Sequence, residues 1–302
     1  MISFKDRVAI VTGAGNGLGR CHALALSARG AKVVVNDLGG ARDGTGGSLS
    51  AAESVVDEVR RAGGEAIANG ASVADETAVA AMVESALSKW GRIDILINNA
   101  GILRDKSFAK MDIADFRAVL DVHLVGTAIC TKAVWEIMRQ QAYGRILCTT
   151  SPSGLYGMFG QANYGAAKAG LIGFMNALHL EGAKYDIRIN LLSPSARTRM
   201  TEDLGVPPPV LDLMTPEAVT AAALYLVSAD APSRAILSCA AGGYARAHVV
   251  ETDGVYLPPN DQTPEALAAR WSDISDASKL HFHENGGAPN MNFLTKAQMH
   301  KG

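Results

Sequence analysis

Short runs rich in β-branched residues alternate with longer segments of helical periodicity along most of the chain. Each run has the length of a strand, and each intervening segment can form a helix that crosses back over a sheet. This alternation predicts an α/β fold with a doubly wound parallel sheet. The predicted strands cover residues 8–12, 32–36, 65–69, 94–98, 145–149 and 188–192, and the predicted helices cover residues 17–29, 48–62, 75–90, 112–139 and 163–184.

The length and composition suit one main domain followed by a small extension. The chain has 302 residues, of which 48% are hydrophobic, so it can bury a large core. We predict a single catalytic domain over residues 1–256 and a C-terminal extension over residues 257–302. Within the extension we expect a short helix over residues 264–274 and a polar tail from residue 281.

Charge and cysteine usage argue against several partners. The formal net charge is -2 with both signs mixed along the sequence, so we expect neither nucleic acid nor a membrane as partner. The four cysteines contain no Cys-x-x-Cys pair, and His281 and His283 have no cysteine nearby, so no metal site is predicted. Residues 1–6 hold no signal-like apolar run, and the sequence ends without a Ser-Lys-Leu type address. We therefore expect a cytoplasmic location.

A glycine-rich turn follows the first predicted strand. Residues 12–19 read Thr-Gly-Ala-Gly-Asn-Gly-Leu-Gly, and a helix should open on them. Free N–H groups and the dipole of a helix N-terminus suit a pyrophosphate, and glycines let the backbone approach it. A dinucleotide site is therefore favoured, with a tight strand-to-helix connection as the alternative. The residues expected at the cofactor are Gly13, Asn16, Gly17, Leu18 and Gly19.

Asp37 follows the second predicted strand. A carboxylate there can accept hydrogen bonds from the adenosine ribose and repel a 2'-phosphate, which favours NAD over NADP. Arg20 and Arg42 are close enough in sequence to leave NADP open. The alternative for Asp37 is an aspartate that only caps the next turn.

The third and fourth predicted strands deliver further candidates to the same edge of the sheet. Ser72 and Val73 fall where the adenine should pass, although a plain turn has the same pattern. The fourth strand ends in Asn-Asn-Ala-Gly, in which Asn98 should tie neighbouring strands together through hydrogen bonds. The remaining three residues are expected at the cofactor: Asn99, Ala100 and Gly101.

Tyr164 and Lys168 are four residues apart in a predicted helix and so share one of its faces. A free phenol has a pKa of about 10, too high for a base at neutral pH. A neighbouring positive charge, here that of Lys168, favours the ionised phenol. Such a pair is common on surface helices, so its significance depends on the motifs that precede it.

The order of these motifs resembles that of the short-chain dehydrogenase/reductase family. That family combines Thr-Gly-x-x-x-Gly-x-Gly and Asn-Asn-Ala-Gly with a serine thirteen residues before Tyr-x-x-x-Lys. The resemblance implies a Rossmann-type fold and an oxidoreductase that transfers hydride between a nicotinamide and the carbon bearing the reacting oxygen. It implies Tyr164 as general acid/base, Lys168 as its pKa-lowering partner and ribose ligand, and Ser151 as hydrogen-bond donor to the reacting oxygen.

The segment after the sixth predicted strand should pass the nicotinamide. Residues 194–201 form this segment, which places Ser195 and Thr198 at the cofactor. Residues 207–209 are three prolines that should shape a movable substrate loop.

Within the family, the sequence is most similar to the D-3-hydroxyacyl-CoA dehydrogenase unit of multifunctional β-oxidation enzymes. The likeness lies in residues 36–40, 101–105, 156–164 and 193–201, and in His123, where the family usually has asparagine. His123 is predicted either to bridge a proton-relay water or to be buried and bonded to the helix backbone. The resemblance implies a 3-hydroxyacyl-CoA substrate and a homodimer or homotetramer.

The phosphates of a CoA carrier need cations at the mouth of the pocket. Arg104 and Lys106 follow Gly101 closely and are the candidates, although basic residues after a strand are often only solvated. Two other functions stay open. One is a steroid or other secondary-alcohol or ketone oxidoreductase, and the other is a catalytically idle NAD-binding regulator, against which Ser151, Tyr164 and Lys168 together argue.

Overall fold

The structure is a computed structural model and describes residues 1–198 and 207–300. It contains two compact units, Met1–Arg246 and Ala247–Gly302.

An eight-stranded sheet dominates the first unit. Its strands run in the order β3-β2-β1-β4-β5-β6-β7-β8, and the neighbouring pairs from β3 to β7 are parallel. The predicted α/β, Rossmann-type doubly wound fold is therefore confirmed. The order reverses between β1 and β4, where such sheets open a crevice at the carboxyl ends of their strands. The strands are β1 (Val8–Thr12), β2 (Lys32–Asn36), β3 (Glu65–Asn69), β4 (Ile95–Asn98), β5 (Gly144–Thr149), β6 (Ile187–Ser195), β7 (Ile236–Ala240) and β8 (Gly243–Ala247).

Helices cover both faces of the sheet. Ala9 and Val11 of β1 belong to a core shared with α1, α2 and α9, whereas the intervening Ile10 is also buried but points to the other face. Strands buried on both faces read as continuous apolar runs, as these do. The helices of this unit are α1 (Gly17–Ser27), α2 (Ser50–Arg61), α3 (Glu76–Trp90), α4 (Ile113–Leu120), α5 (Gly126–Gln141), α6 (Pro152–Tyr156), α7 (Ala162–Gly182), α8 (Pro208–Leu211) and α9 (Pro216–Leu226).

Strand β7 was not predicted from the sequence, whereas β8 lies in the region from residue 243 to residue 256 where a final strand was expected. β7 is only partly buried and contains a single β-branched residue, Ile236, so its local signal is weak. The link between β7 and β8 is Ala241 and Gly242, with φ of 47° and 80°. Two positive φ values suit a type I′ turn, which joins the strands as a hairpin.

The long helix predicted over residues 112–139 is interrupted. A π-helical turn, Asp121–Val125, separates α4 from α5. Such turns often occur at functional sites, because the extra residue per turn redirects a side chain. Here the turn carries the buried His123.

Up to residue 300, the second unit contains a small sheet and three α-helices. β9 (Glu251–Thr252) pairs antiparallel with β10 (Leu280–His281), beside α10 (Pro264–Ala269), α11 (Trp271–Ile274) and α12 (Ala288–Met299). The helix predicted over residues 264–274 is therefore divided at Arg270. The predicted polar tail is wrong in its central part, since α12 lies there and its Phe293 and Leu294 line an apolar cavity of this unit.

His281 and His283 each face a carboxylate of the second unit, Asp253 and Glu251 respectively. Among the described residues, no group of three or more His, Cys, Asp or Glu side chains is arranged to hold a metal ion. Over residues 1–198 and 207–300, no helix is both long enough and apolar enough to cross a membrane.

Candidate active site

A cavity of about 620 Å³ opens at the carboxyl ends of the strands on either side of the β1–β4 reversal. All but two of the residues predicted for the site line this cavity. The lining includes Gly13, Asn16, Gly17, Leu18, Asp37, Ser72, Val73, Asn99, Ala100, Gly101, Arg104, His123, Ser151, Tyr164, Lys168, Ser195 and Thr198. The two predicted residues outside the lining are Gly19 and Lys106.

The glycine turn presents bare backbone to the cavity. Gly13 has φ +62°, and a Cβ there would lie 2.8 Å from the Cα of Ala100. Asn16 caps α1 without a side-chain hydrogen bond, and the first turn of the helix has no acidic residue. The free N–H groups and the positive end of the helix dipole therefore fit the pyrophosphate of a dinucleotide.

Gly19 has a packing role in this turn. A Cβ at Gly19 would overlap the carbonyl oxygen of Gly13 and crowd the side-chain amide of Asn99. Its lack of a side chain thus lets the helix approach the loop closely. Gly19 does not line the cavity, and its place at the cofactor stays a prediction.

Asp37 connects the glycine turn to the end of β2. Its Oδ2 accepts a hydrogen bond from Gly15 N at 2.7 Å, and its Oδ1 accepts one from Gly39 N at 2.7 Å. The carboxylate also borders the cavity, where its remaining lone pairs can meet ribose hydroxyls. Of the two arginines that left NADP open, Arg20 is paired with Glu58, whereas Arg42 lines the cavity.

The end of β4 is locked to the end of β1. The Nδ2 of Asn99 donates to the carbonyls of Thr12 and Gly13, both at 3.1 Å, while Thr12 Oγ1 accepts from Asn99 N and Ala100 N. Asn98 points inward and donates to Thr131 Oγ1 at 3.2 Å. These bonds hold the floor of the cavity in one arrangement.

Two further predicted segments border the cavity. Ser72 Oγ accepts from Ala74 N at 3.3 Å, and the adjacent Val73 packs against Gly126. Ser195 lies at the end of β6 and Thr198 shortly after it. The predicted nicotinamide segment continues to residue 201, and its residues 199–201 lie outside the described part of the chain.

Ser151, Tyr164 and Lys168 come together from β5 and α7. Ser151 follows β5, accepts from Ser153 N at 3.1 Å and lies close enough to the Tyr164 phenol to lower its pKa. Lys168 is buried, its Nζ donates to the carbonyl of Thr149, and it lies 5.5 Å from the centroid of the Tyr164 ring. The three side chains face one cavity, so they can act on one bound oxygen.

Burial dominates the electrostatics of this group. It raises the pKa of Tyr164 to about 12, against which the hydrogen bond with Ser151 acts in the lowering direction. Burial also lowers the pKa of Lys168 to about 7. The positive charge of Lys168 was expected to lower the pKa of Tyr164, but desolvation of the phenol has the largest effect on that pKa.

His123 is held by the loop after β4 rather than by its own helix. Its Nε2 lies 2.8 Å from the carbonyl oxygen and 3.1 Å from the N of Ile102. Its ring fills the space above Gly101, where a Cβ would overlap it. Burial, together with the charge of Lys168, keeps the pKa of His123 well below 6.5. Its buried Nδ1 has no hydrogen-bond partner among the described residues.

Arg104 and Lys106 have a different environment from the one predicted. Arg104 Nη1 pairs with Asp115 at 3.1 Å, and Lys106 Nζ pairs with Asp115 at 2.9 Å and Asp112 at 3.2 Å. Their charges are thus balanced by carboxylates of α4 and of the residue before it.

Several lining residues were not predicted. Thr149 and Thr150 directly precede Ser151, so the rule that function follows strand ends would have found them. Met158, Leu211 and Met214 come from loops or from a distant part of the chain, and no local pattern identifies them.

Comparison with known proteins agrees with this geometry. The short chain dehydrogenase family matches residues 7–206. The chain is 49% identical to a peroxisomal hydratase-dehydrogenase-epimerase of Saccharomyces cerevisiae, over 94% of this chain and 31% of the relative. It is 48% identical to a short-chain type dehydrogenase/reductase of Mycobacterium tuberculosis, over 92% of this chain and 97% of the relative. The chain thus spans about a third of the first relative and nearly all of the second.

Solved structures give the same result. The full-length peroxisomal multifunctional enzyme type 2 of Drosophila melanogaster superposes with a TM-score of 0.81 at 38% identity, covering 98% of this chain and 50% of that one. A 7α-hydroxysteroid dehydrogenase complexed with NADH superposes with a TM-score of 0.72 at 29% identity, covering 80% of this chain and 95% of that one. The chain therefore belongs to the short-chain dehydrogenase family and is an oxidoreductase that binds a nicotinamide cofactor and acts on a small molecule.

Proposed function

We propose that this enzyme uses NAD to interconvert a 3-hydroxyacyl-CoA and a 3-ketoacyl-CoA. The observation that carries the proposal is the grouping of Ser151, Tyr164 and Lys168 on the wall of a cavity that also contains the glycine turn. The S. cerevisiae relative is named a hydratase-dehydrogenase-epimerase and the D. melanogaster relative a multifunctional enzyme, so both names describe proteins with several activities. Because the chain spans less than half of each, the substrate is a proposal for this chain.

Each side chain has a definite role in the proposed reaction. When bound, the nicotinamide supplies or accepts the hydride at its C4. Ser151 holds the reacting oxygen by a hydrogen bond, and Tyr164 exchanges the proton with that oxygen. With a pKa of about 12 the Tyr164 phenol is protonated at neutral pH, which suits donation to a ketone oxygen. Lys168 orients the ribose and stabilises the phenolate when Tyr164 gives up its proton.

The supporting role of His123 is steric and polar. Its ring packs edge-on against Tyr164, and its Nε2 contacts the backbone of Ile102. The orphaned Nδ1 could receive a relay water, since it is buried beside the site. We propose His123 as the fourth member of the proton relay on this ground.

NAD is proposed over NADP. Asp37 places its carboxylate at the cavity beside the glycine turn, where it would repel a 2'-phosphate. Arg20 is neutralised by Glu58 and lies outside the lining. These two observations outweigh the presence of Arg42 in the lining.

A steroid or another secondary alcohol is the second candidate substrate. The superposition on a 7α-hydroxysteroid dehydrogenase is the observation that favours it. The role of Arg104 and Lys106 as ligands of CoA phosphates stays a prediction, and replacing both with alanine should raise the Michaelis constant for acyl-CoA more than that for NAD. Equal constants in the variant and the parent would refute that role.

Assembly and compartment are proposals as well. We propose a homodimer or homotetramer, which light scattering on the purified full chain would test. We propose the cytoplasm, although the names of several relatives place those proteins in peroxisomes. Imaging of the tagged protein beside a peroxisomal marker decides between the two.

One assay tests the proposed function. NADH formation is followed with 3-hydroxyacyl-CoA thioesters of several chain lengths, a panel of hydroxysteroids and simple secondary alcohols. The proposal expects the highest kcat/KM with a thioester, whereas a preference for steroids supports the second candidate. Tyr164→Phe should abolish turnover while NADH still binds. Full turnover in that variant would disprove the mechanism, and absence of turnover with every substrate would support the NAD-binding regulator.

A further inference from the structure

Residues 102–106, which we call the strap, follow β4 and connect separate parts of the site. The first strap residue, Ile102, contacts His123 through its backbone. The next two reach the glycine-rich loop, residues 38–48. Leu103 N donates to the carbonyl of Arg42 at 3.0 Å, and Arg104 Nε donates to the carbonyl of Asp43 at 3.0 Å. This loop lines the cofactor side of the cavity.

The other side of the strap is bonded to the start of α7 and to the two residues before it. Lys106 N donates to the carbonyl of Gly160 at 3.0 Å, and Gln161 Nε2 donates to Asp105 Oδ2 at 2.7 Å. Asn163 Nδ2 donates to the carbonyl of Arg104 at 3.0 Å. Three hydrogen bonds thus join the strap to the residues directly before Tyr164.

Asn163 is the most constrained of these partners. It is completely buried, and its Oδ1 accepts from the N of Tyr164 at 2.8 Å while its Nδ2 holds the strap. A side-chain amide has an acceptor at one atom and donors at the other, so it can satisfy both contacts at once. An aliphatic residue would leave both backbone groups without a partner.

Within the strap, Arg104 likewise connects several segments. Its guanidinium reaches the glycine-rich loop through Asp43 and α4 through Asp115, while its carbonyl accepts from Asn163. The planar guanidinium offers several donors in a fixed arrangement, which a lysine ammonium cannot reproduce.

We propose that the strap couples the glycine-rich loop on the cofactor side to Tyr164, with Arg104 and Asn163 as the positioning residues that carry the coupling. A cofactor that orders residues 38–48 would thereby also order the start of α7. The inference rests on the proposed role of Tyr164 in proton transfer. The coupling role of Arg104 differs from its proposed role as a phosphate ligand, because coupling requires the hydrogen bonds of the guanidinium and not only its positive charge.

Hydrogen–deuterium exchange of the full chain, with and without NADH and without substrate, tests the coupling directly. In the parent, NADH should slow exchange in residues 12–19, 38–48 and 160–165. Arg104→Lys keeps a positive charge beside Asp115 but loses the fixed arrangement of donors that the planar guanidinium provides. In this variant NADH should still slow exchange at residues 12–19, while its effect on residues 160–165 falls by roughly fivefold or more, as expected for loss of one hydrogen bond. Lys110→Ala is the control, because this substitution removes one exposed positive charge shortly after the strap in sequence.

Kinetics provide a second readout. Asn163→Ala should lower kcat by roughly ten- to a hundredfold through misplacement of Tyr164, with KM for NAD changed far less. Arg104→Lys should lower kcat and also weaken NADH binding, measured by fluorescence titration. If Asn163→Ala does not fold, the exchange pattern of Arg104→Lys decides alone.

The proposal is overturned if Arg104→Lys shows parental NADH-dependent exchange at residues 160–165, whatever its activity. It is also overturned if a folded Asn163→Ala variant retains the parental kcat. Failure of the proposed catalytic role of Tyr164 is a separate result, since Tyr164→Phe turnover reports on it and the exchange experiment contains no turnover.

Discussion

The imidazole of His123 meets the ring of Tyr164 edge-on, with ring centroids 5.1 Å apart and planes at 89°. Edge-to-face contact of this kind is favourable between aromatic rings. Because the pKa of His123 lies well below 6.5, the ring beside Tyr164 is neutral at physiological pH. The contact therefore fixes the position of the phenol without adding a charge to it.

We expect His123→Asn to retain most of the activity and His123→Ala to lose stability. Asparagine can still contact the backbone of Ile102, whereas alanine leaves that backbone unpaired at a cost of about 1–3 kcal/mol in the free energy of unfolding. Denaturant titration measures this cost. The pH profiles of kcat/KM for the parent and His123→Asn should share their inflections between about pH 5 and 8. An inflection that disappears in His123→Asn would contradict the neutral histidine.

Lys168→Met should stabilise the fold while removing activity. The pKa of Lys168 is about 7 in the folded chain and 10.5 in its ordinary state, so the unfolded chain binds more protons between these values. The free energy of unfolding of the parent should therefore rise with pH across that window, relative to the variant. Below it, Lys168→Met should be the more stable protein by several kcal/mol, since each pKa unit corresponds to about 1.4 kcal/mol. If the free energies of unfolding of the parent and of Lys168→Met change in parallel with pH, the lowered pKa of Lys168 is refuted.

His22 makes the fold sensitive to acid. It is completely buried, its Nδ1 lies 2.9 Å from Thr220 Oγ1, and burial lowers its pKa to about 4. Protonation in the unfolded chain begins near the ordinary value of 6.5, so stability is lost as the pH falls from 6.5 to about 4. His22→Gln should remove up to about 3 kcal/mol of this loss. Denaturation curves of the parent and of His22→Gln across this pH range measure the difference. If the free energy of unfolding depends on pH equally in both, the role of His22 is contradicted.

Two glycine-to-alanine substitutions should have opposite effects. Gly19→Ala introduces a Cβ against the carbonyl of Gly13, so we expect weaker NADH binding and lower stability. Gly173 lies exposed within α7, and a Cβ there meets nothing within 4 Å. Gly173→Ala should stabilise the protein by about 0.5–1 kcal/mol, because alanine is the better helix former. Thermal unfolding of both variants distinguishes close packing at Gly19 from a general effect of substitution.

Asp37→Ser should shift the cofactor preference toward NADP. The change removes the negative charge that would repel a 2'-phosphate while leaving a hydroxyl for the ribose. The ratio of kcat/KM for NAD to that for NADP should fall by roughly tenfold or more, the effect of about 1.4 kcal/mol. The backbone contacts of Asp37 with Gly15 and Gly39 are also weakened, so the affinity for NAD should decline as well. An unaltered ratio would show that Asp37 does not discriminate.

The sequence predicted the parallel sheet well because its signals are local. Strands such as Val8–Thr12 and Lys32–Asn36 are short β-branched runs, and the structure has the same bounds. The weakly patterned β7 and the helix Ala288–Met299 were missed, since their side chains are only partly buried and their periodicity is faint. Partial burial leaves little constraint on which residues are hydrophobic.

The amino-acid sequence by itself determined the order of strands and helices, the glycine turn and the shared face of Tyr164 and Lys168. Each of these follows from spacing along a strand or a helix. Only the tertiary structure decided that Asp115 neutralises Arg104, that Ile102 holds His123 and that Asn163 connects the strap to Tyr164. Only it decided that burial moves the pKa of Tyr164 to about 12 and that of Lys168 to about 7. Desolvation and such contacts depend on which distant segments pack together, and the spacing of residues within one segment does not predict that packing.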